Sequence, residues 1–253
     1  MSFVNFAVAA EPDETSVFRE QLLSLMDAKD HPVYWYLMGP NATKEQLHLH
    51  YLHEWEVYVR DFPLFLARIL AKNPPADVRQ DLAENIFEEE TGKLTLGASH
   101  PELFLRMMEG LGFDRSDFDK VMLLPAACEY RNWIDEATTG AHWTIGAAVA
   151  TIFIEGSKKD RAEVEGTKET ETHTEEKLRQ HPLVRYQELD PKYLDLQRAH
   201  SKAESGHRAA AWRMVLGHAN SPEIKRQVVS ALEKSLKLWT AYRNEIAQAC
   251  HCL

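Results

Sequence analysis

Apolar residues recur at three- and four-residue intervals along most of the chain, and strict alternation is nearly absent. The pattern predicts helices and almost no strands. Glu14 to Ala28 carries apolar residues at helical spacing, and Thr43 with Gln46 forms a capping box for a helix reaching about Asp61, ahead of Pro63. Beyond Pro74-Pro75 a helix runs to the acidic cluster Glu88-Glu89-Glu90 and stops near Gly92. Ser99 with Glu102 reads as a second capping box with Pro101 in the first turn, and Gly110 and Gly112 close that helix. The apolar stretch Trp143 to Ile154 reads as a buried helix, since a bilayer span needs about 20 residues. Asp190-Pro191 opens a helix ending near Gly217, and Ser221-Pro222 opens a last amphipathic helix reaching about Ala249. The polar run Glu163 to Lys177 reads as a solvated connection. These segments predict an all-α bundle of seven or more helices, one domain over 1–253, with no internal repeat.

Charge narrows the partners. With a formal net charge of −10 over 253 residues, neither nucleic acid nor an anionic membrane is an expected partner. Three cysteines make no disulfide framework, and the first residues lack a basic leader, so a cytoplasmic location is expected. Cys128 reads as an inert buried cysteine. Cys250-His251-Cys252 has metal-binding residue types but reads as a frayed tail.

The candidate chemistry centres on His200, Glu204 and His207. A helix advances about 100° per residue, so offsets of four and seven return to within roughly 40° of the start. Two imidazoles and a carboxylate then share one narrow face, a donor set suited to a transition metal. Glu155 ends an otherwise apolar helix, where a carboxylate is costly unless a cation meets it or the helix end is solvated. Three acids at a helix C-terminus, Glu88 to Glu90, oppose the macrodipole and ask for compensation, and His100 opens the next helix. The helix after Thr43 offers His48, His50, His53, Glu54 and Glu56, too many for one site. Glu45/His48 and Glu204/His207 also have the Glu-x-x-His spacing of ferritin-like di-iron bundles, which stands as a rival scheme. No nucleophile elbow, P-loop or Rossmann glycine motif is present.

Taken in order, these residues resemble the heme-oxygenase-like di-iron oxidases and oxygenases, in the superfamily that includes thiaminase II and pyrroloquinoline-quinone synthase. The resemblance spans roughly His31 to Ala219 and rests on four stretches: His31-Pro32-Val33-Tyr34; Glu54, eight residues before Phe62-Pro63; Asn85 to Gly92 with His100 to Phe104; and Ile154-Glu155-Gly156 with the His200 triplet. It implies a non-heme oxidoreductase that uses O2 and two Fe(II) per chain on a small organic substrate. An external electron donor and a homodimer are further expectations. The implied metal ligands are Glu54, Glu89, His100, Glu155, His200, Glu204 and His207, with Glu90 the alternative to Glu89. Glu54, Glu89 and Glu155 are the implied catalytic carboxylates, and Tyr34, Tyr58, Phe62, Trp143 and Phe153 the expected cavity walls. Two departures stand out. Glu204 replaces the usual Asp, one methylene shorter, and the stretch between Glu155 and His200 is long. The alternatives are a metal-independent member of the same fold, hydrolase or oxidase, and a non-catalytic helical interaction protein.

Overall fold

The computed structural model describes residues 13–166 and 175–252, and of residues 203–207 the helical backbone only. Among the described residues there is no strand. In chain order the helices are α1 (Glu14–Asp27), α2 (Pro32–Leu37), α3 (Lys44–Glu54), α4 (Phe62–Leu70), α5 (Ala76–Thr91), α6 (His100–Gly110) and α7 (Pro125–Thr139). They are followed by α8 (Trp143–Ala147), α9 (Asp160–Val164), α10 (Glu175–Arg179), α11 (Pro182–Gln187), α12 (Asp195–His218) and α13 (Pro222–Ala249). The long α13 lies along α7, α8 and α1, and α4 packs on α5, α7 and α8. No helix among the described residues is long and apolar enough to cross a membrane.

Local chemistry explains most boundaries. The Thr43/Gln46 box closes both ways: the Thr43 side chain accepts from Gln46 N, and the Gln46 side chain accepts from Thr43 N. Only half of the Ser99/Glu102 box forms, because the Glu102 carboxylate is drawn to Arg106 and Arg115 instead. Gly92 ends α5 at φ 58°, so tightly against the Ala98 backbone that a Cβ there would collide with it.

Five expectations are corrected. The helix after Thr43 is not α-helical to Asp61: Trp55–Val59 is a π-helical turn, with Arg60 N donating to Trp55 O at 3.1 Å. The apolar stretch likewise changes from α8 into a π-helix over Ala148–Ile154. Residues 163–177 are not simply a connection, since α9 and α10 claim both ends, while 167–174 lie outside the described residues. Cys128 is exposed rather than buried, and the C-terminal segment is not frayed, with Cys250 only 4% exposed.

Candidate active site

A cavity of about 250 Å³ opens between α4, α5, α6, α12 and the two π-helical segments. Its wall is Tyr58, Val59 and Phe62 on one side, Ile154 and Glu155 on another, Glu89 and His100 on a third, and Leu196, His200 and Arg208 on α12. Each π segment thus delivers residues to the cavity at its C-terminal end. A π turn inserts one extra residue and re-aims the side chains that follow, a device concentrated at functional sites.

Four of the expected ligands meet on this wall. Glu89 is 7% exposed and His100 4% exposed, whereas Glu90 faces solvent. The imidazole of His100 lies edge-on to that of His200, ring centroids 5.0 Å apart. Glu155 is steadied by Asn85, whose Nδ2 donates to Glu155 Oε1 at 3.3 Å. Glu88, completely buried, has a different task. Its oxygens accept from Leu94 N at 2.8 Å and from the Thr95 hydroxyl, pinning the α5–α6 loop and so fixing where His100 begins α6. Burial pushes the His100 pKa down, but the Glu89 and Glu88 carboxylates outweigh it and hold the imidazole above its ordinary value.

The donors suit a metal ion of intermediate softness. Both ring nitrogens of His100 are enclosed without an aligned hydrogen bond, although Nδ1 is 2.9 Å from a Glu89 oxygen and Nε2 3.6 Å from a Glu88 oxygen. Imidazole nitrogens and carboxylate oxygens packed this closely in a buried wall form a donor set that a bound cation can use. Among the described residues, no group of three His, Cys, Asp or Glu is close enough to hold an ion. The side chains of Glu204 and His207 lie outside the described residues, though the α12 backbone carries both positions as uninterrupted helix.

Glu54 is not among the residues that line the cavity, although its partner Tyr58 is. Its carboxylate meets the guanidinium of Arg243, which is 0% exposed, and accepts from the Tyr58 hydroxyl and from Tyr242 Oη at 3.4 Å. Burial alone would raise the Glu54 pKa, but Arg243, His50 and Tyr58 bring it below the ordinary carboxylate range. Of the expected cavity walls, Tyr58 and Phe62 line it. Tyr34 instead stacks near Trp239 beside Arg243, Trp143 packs edge-on to His218, and Phe153 is wholly buried beside Tyr130.

Two of the other histidines on α3, His53 and His48, have structural partners. His53 Nδ1 donates to Leu49 O at 2.8 Å, while Nε2 accepts from Leu124 N at 3.1 Å. His48 sits 3.1 Å from Asp117 and stacks on Phe113, and Glu45 is exposed, so the ferritin-like pair does not face the cavity. Arg208 is a cavity residue the sequence reading missed. It lies four positions after Glu204, on the triplet's side of the helix, and that spacing was the available signal. Its Nη1 is 2.8 Å from Glu163 and 3.4 Å from the buried Asp160.

The sequence model of the iron-containing redox enzymes matches residues 49–240. The chain belongs to that family. It is 22% identical over 241 residues to the 4-aminobenzoate synthase of Nitrosomonas europaea, with 89% of each chain covered. Among solved structures it resembles a TenA homolog from Pseudomonas syringae pv. tomato, at TM-score 0.69, 14% identity, and 96% and 99% coverage. It also resembles a CADD-like protein of unknown function from Nostoc punctiforme, at TM-score 0.65, 19% identity, and 94% and 98% coverage. A domain with a heme oxygenase-like fold from Shewanella denitrificans aligns at TM-score 0.64 and 17% identity, covering 94% and 93%. The helical bundle of this iron-containing redox enzyme family member therefore has the heme-oxygenase-like fold.

Proposed function

We propose that the protein is a non-heme di-iron enzyme that uses O2 to oxidise a small organic substrate. The observation that carries this reading is the convergence of Glu89, His100, Glu155 and His200 from separate helices on one cavity, with the His100 nitrogens left without aligned hydrogen bonds. Glu204 and His207, on the same helix as His200, complete the proposed ligand set. Glu54 is left out of it, because Arg243 already meets its charge. Mixed carboxylate and imidazole donors suit iron. Bound there, iron would supply the electrons and the open coordination positions that O2 activation needs.

The chain's own residues do the rest. Asn85 orients Glu155, and Glu88 fixes the start of α6 so that His100 faces Glu89. Val59, Phe62, Ile154 and Leu196 form an apolar enclosure that excludes water and holds the substrate's carbon skeleton. Tyr58 places a hydroxyl at the wall, its proton directed to Glu54 and its oxygen accepting from Arg243 Nη2 at 2.9 Å. Arg208 reaches the cavity with its guanidinium held by Glu163 and Asp160. The relative from Nitrosomonas europaea makes 4-aminobenzoate a first product to screen for.

A thiaminase-like hydrolysis would want a cysteine nucleophile. Among the described residues, none of the cysteines lines the cavity. The deciding experiment is anaerobic Fe(II) loading, followed by iron analysis and O2 uptake. Two irons per chain and O2 consumption support the proposal, and a folded protein that retains no iron refutes it.

A further inference from the structure

The C-terminal cysteines are built into a defined turn. Cys250 caps α13, His251 takes the left-handed conformation at φ 51°, and the chain folds back so that Cys252 N donates to Ala247 O at 3.1 Å. His251 N donates to Gln248 O at 3.0 Å, which completes a Schellman motif. A right-handed residue followed by a left-handed one brings its two neighbours to roughly the 5.5–6 Å Cα separation at which disulfides most often form. The Cys252 thiol donates to Ala247 O at 3.5 Å, and each cysteine lies within the other's electrostatic reach. The turn is held against α3, where Gln46 Nε2 donates to Cys250 O at 2.6 Å and Cys250 Sγ lies 3.7 Å from Gln46 O.

We propose that Cys250 and Cys252 form a reversible intramolecular disulfide, a modification site separate from the cavity. Cys252 is the more accessible sulfur and Cys250 the buried one, which divides the roles. With hydrogen peroxide as oxidant, the Cys252 thiolate attacks one peroxide oxygen, the O–O bond breaks, and hydroxide leaves, giving a Cys252 sulfenic acid. Cys250 sulfur then attacks the Cys252 sulfur. The S–S bond forms, the S–O bond breaks, and the Cys250 proton leaves with the hydroxyl as water, so one peroxide is reduced as two thiols are oxidised. Burial holds both thiols above their ordinary pKa, Cys250 at about 11, so little thiolate is present at neutral pH and oxidation is slow until an oxidant is added. A ring this small gains little from loop closure, which makes the bond easily reduced and suits a switch better than a staple.

The test exposes the full chain to stoichiometric hydrogen peroxide, and in parallel to diamide, then alkylates remaining thiols and maps peptides without reductant. Free thiols should fall from three to one, with Cys128 still alkylated and the peptide holding 250–252 lighter by two hydrogens. Dithiothreitol should restore all three. In Cys250→Ser, peroxide should leave a dimedone-reactive sulfenic acid on Cys252. The proposal is overturned if both reagents leave the pair unmodified, if Cys252 bridges to Cys128 or to a second chain, or if it proceeds to sulfinic acid in the wild type.

Discussion

The guanidinium of Arg243 closes on the carboxylate of Glu54 inside a shell of aromatic rings, with Tyr242 4.2 Å, Tyr34 4.5 Å and Trp239 5.5 Å from its central carbon. The pair joins α13 to the end of α3 and, through Tyr58, reaches the cavity wall. Breaking a buried ion pair from one side typically costs about 3–5 kcal/mol, because the remaining charge is left uncompensated. Arg243→Met should therefore destabilise the fold by about that much in urea, and adding Glu54→Gln should recover a large part. If the double variant is as unstable as the sum of the singles, Glu54 and Arg243 are not each other's counter-charge.

Below neutral pH His50 should dominate the loss of stability. Burial pushes its pKa down from 6.5 to about 4, although Glu54 pulls the other way. A depressed folded-state pKa means the unfolded chain takes up the proton first. Stability is then fully present above about 6.5 and lost as the pH falls towards about 4, by on the order of 3 kcal/mol. His50→Gln removes the titration, so its stability should change much less over that interval. Parallel curves for variant and wild type between pH 7 and 4 would remove His50 as the source.

How much of this was readable beforehand depended on whether the chain kept its α-helical count. Where it did, the reading held: the Thr43 and Ser221 caps and the Gly92 stop follow from local chemistry, whereas α12 begins at Asp195, after a separate turn at Pro191–Tyr193. Glu89 and His100 were legible because a helix end and a helix start must meet across a short loop, and Glu88 pins that loop. Glu54 was matched by counting back from Phe62. The π turn at Trp55–Val59 adds a residue within that count, so it no longer specifies a direction. Its partner was invisible for another reason, since Arg243 is 189 positions away on a helix whose pattern shows only amphipathicity. Cys128 was misjudged because its neighbours Ala127 and Tyr130 are buried while it lies on the opposite side of α7.

Within the acidic cluster, the proposed function separates three adjacent carboxylates. Glu89→Gln should lose most bound iron while keeping the helical signal, because its carboxylate faces the cavity. Glu90→Gln, on the exposed side, should bind iron as the wild type does. Glu88→Ala should lose stability, by about 1–3 kcal/mol, since Leu94 N loses its acceptor and the α5–α6 loop its anchor. Iron loss from Glu90→Gln with full retention in Glu89→Gln would move the ligand one position along α5.

The last prediction concerns how Glu155 is aimed. A helix end leaves carbonyls without intrahelical partners, and Lys29 from the end of α1 supplies one ammonium to three of them, those of Phe153, Ile154 and Gly156. Burial of that ammonium pushes its pKa down to about 7, with the Asp160 carboxylate the main influence pulling the other way. Lys29 therefore holds the backbone on either side of Glu155, while Asn85 holds the carboxylate itself. Lys29→Met should free the backbone and Asn85→Ala the side chain, and each should speed iron loss to a chelator several-fold. Because both act on one proposed ligand, the double variant should lose iron less rapidly than the product of the two effects predicts, by a coupling of roughly 0.5 kcal/mol or more. Strict additivity would show that Lys29 serves the stability of the π-helix end alone and has no part in placing Glu155.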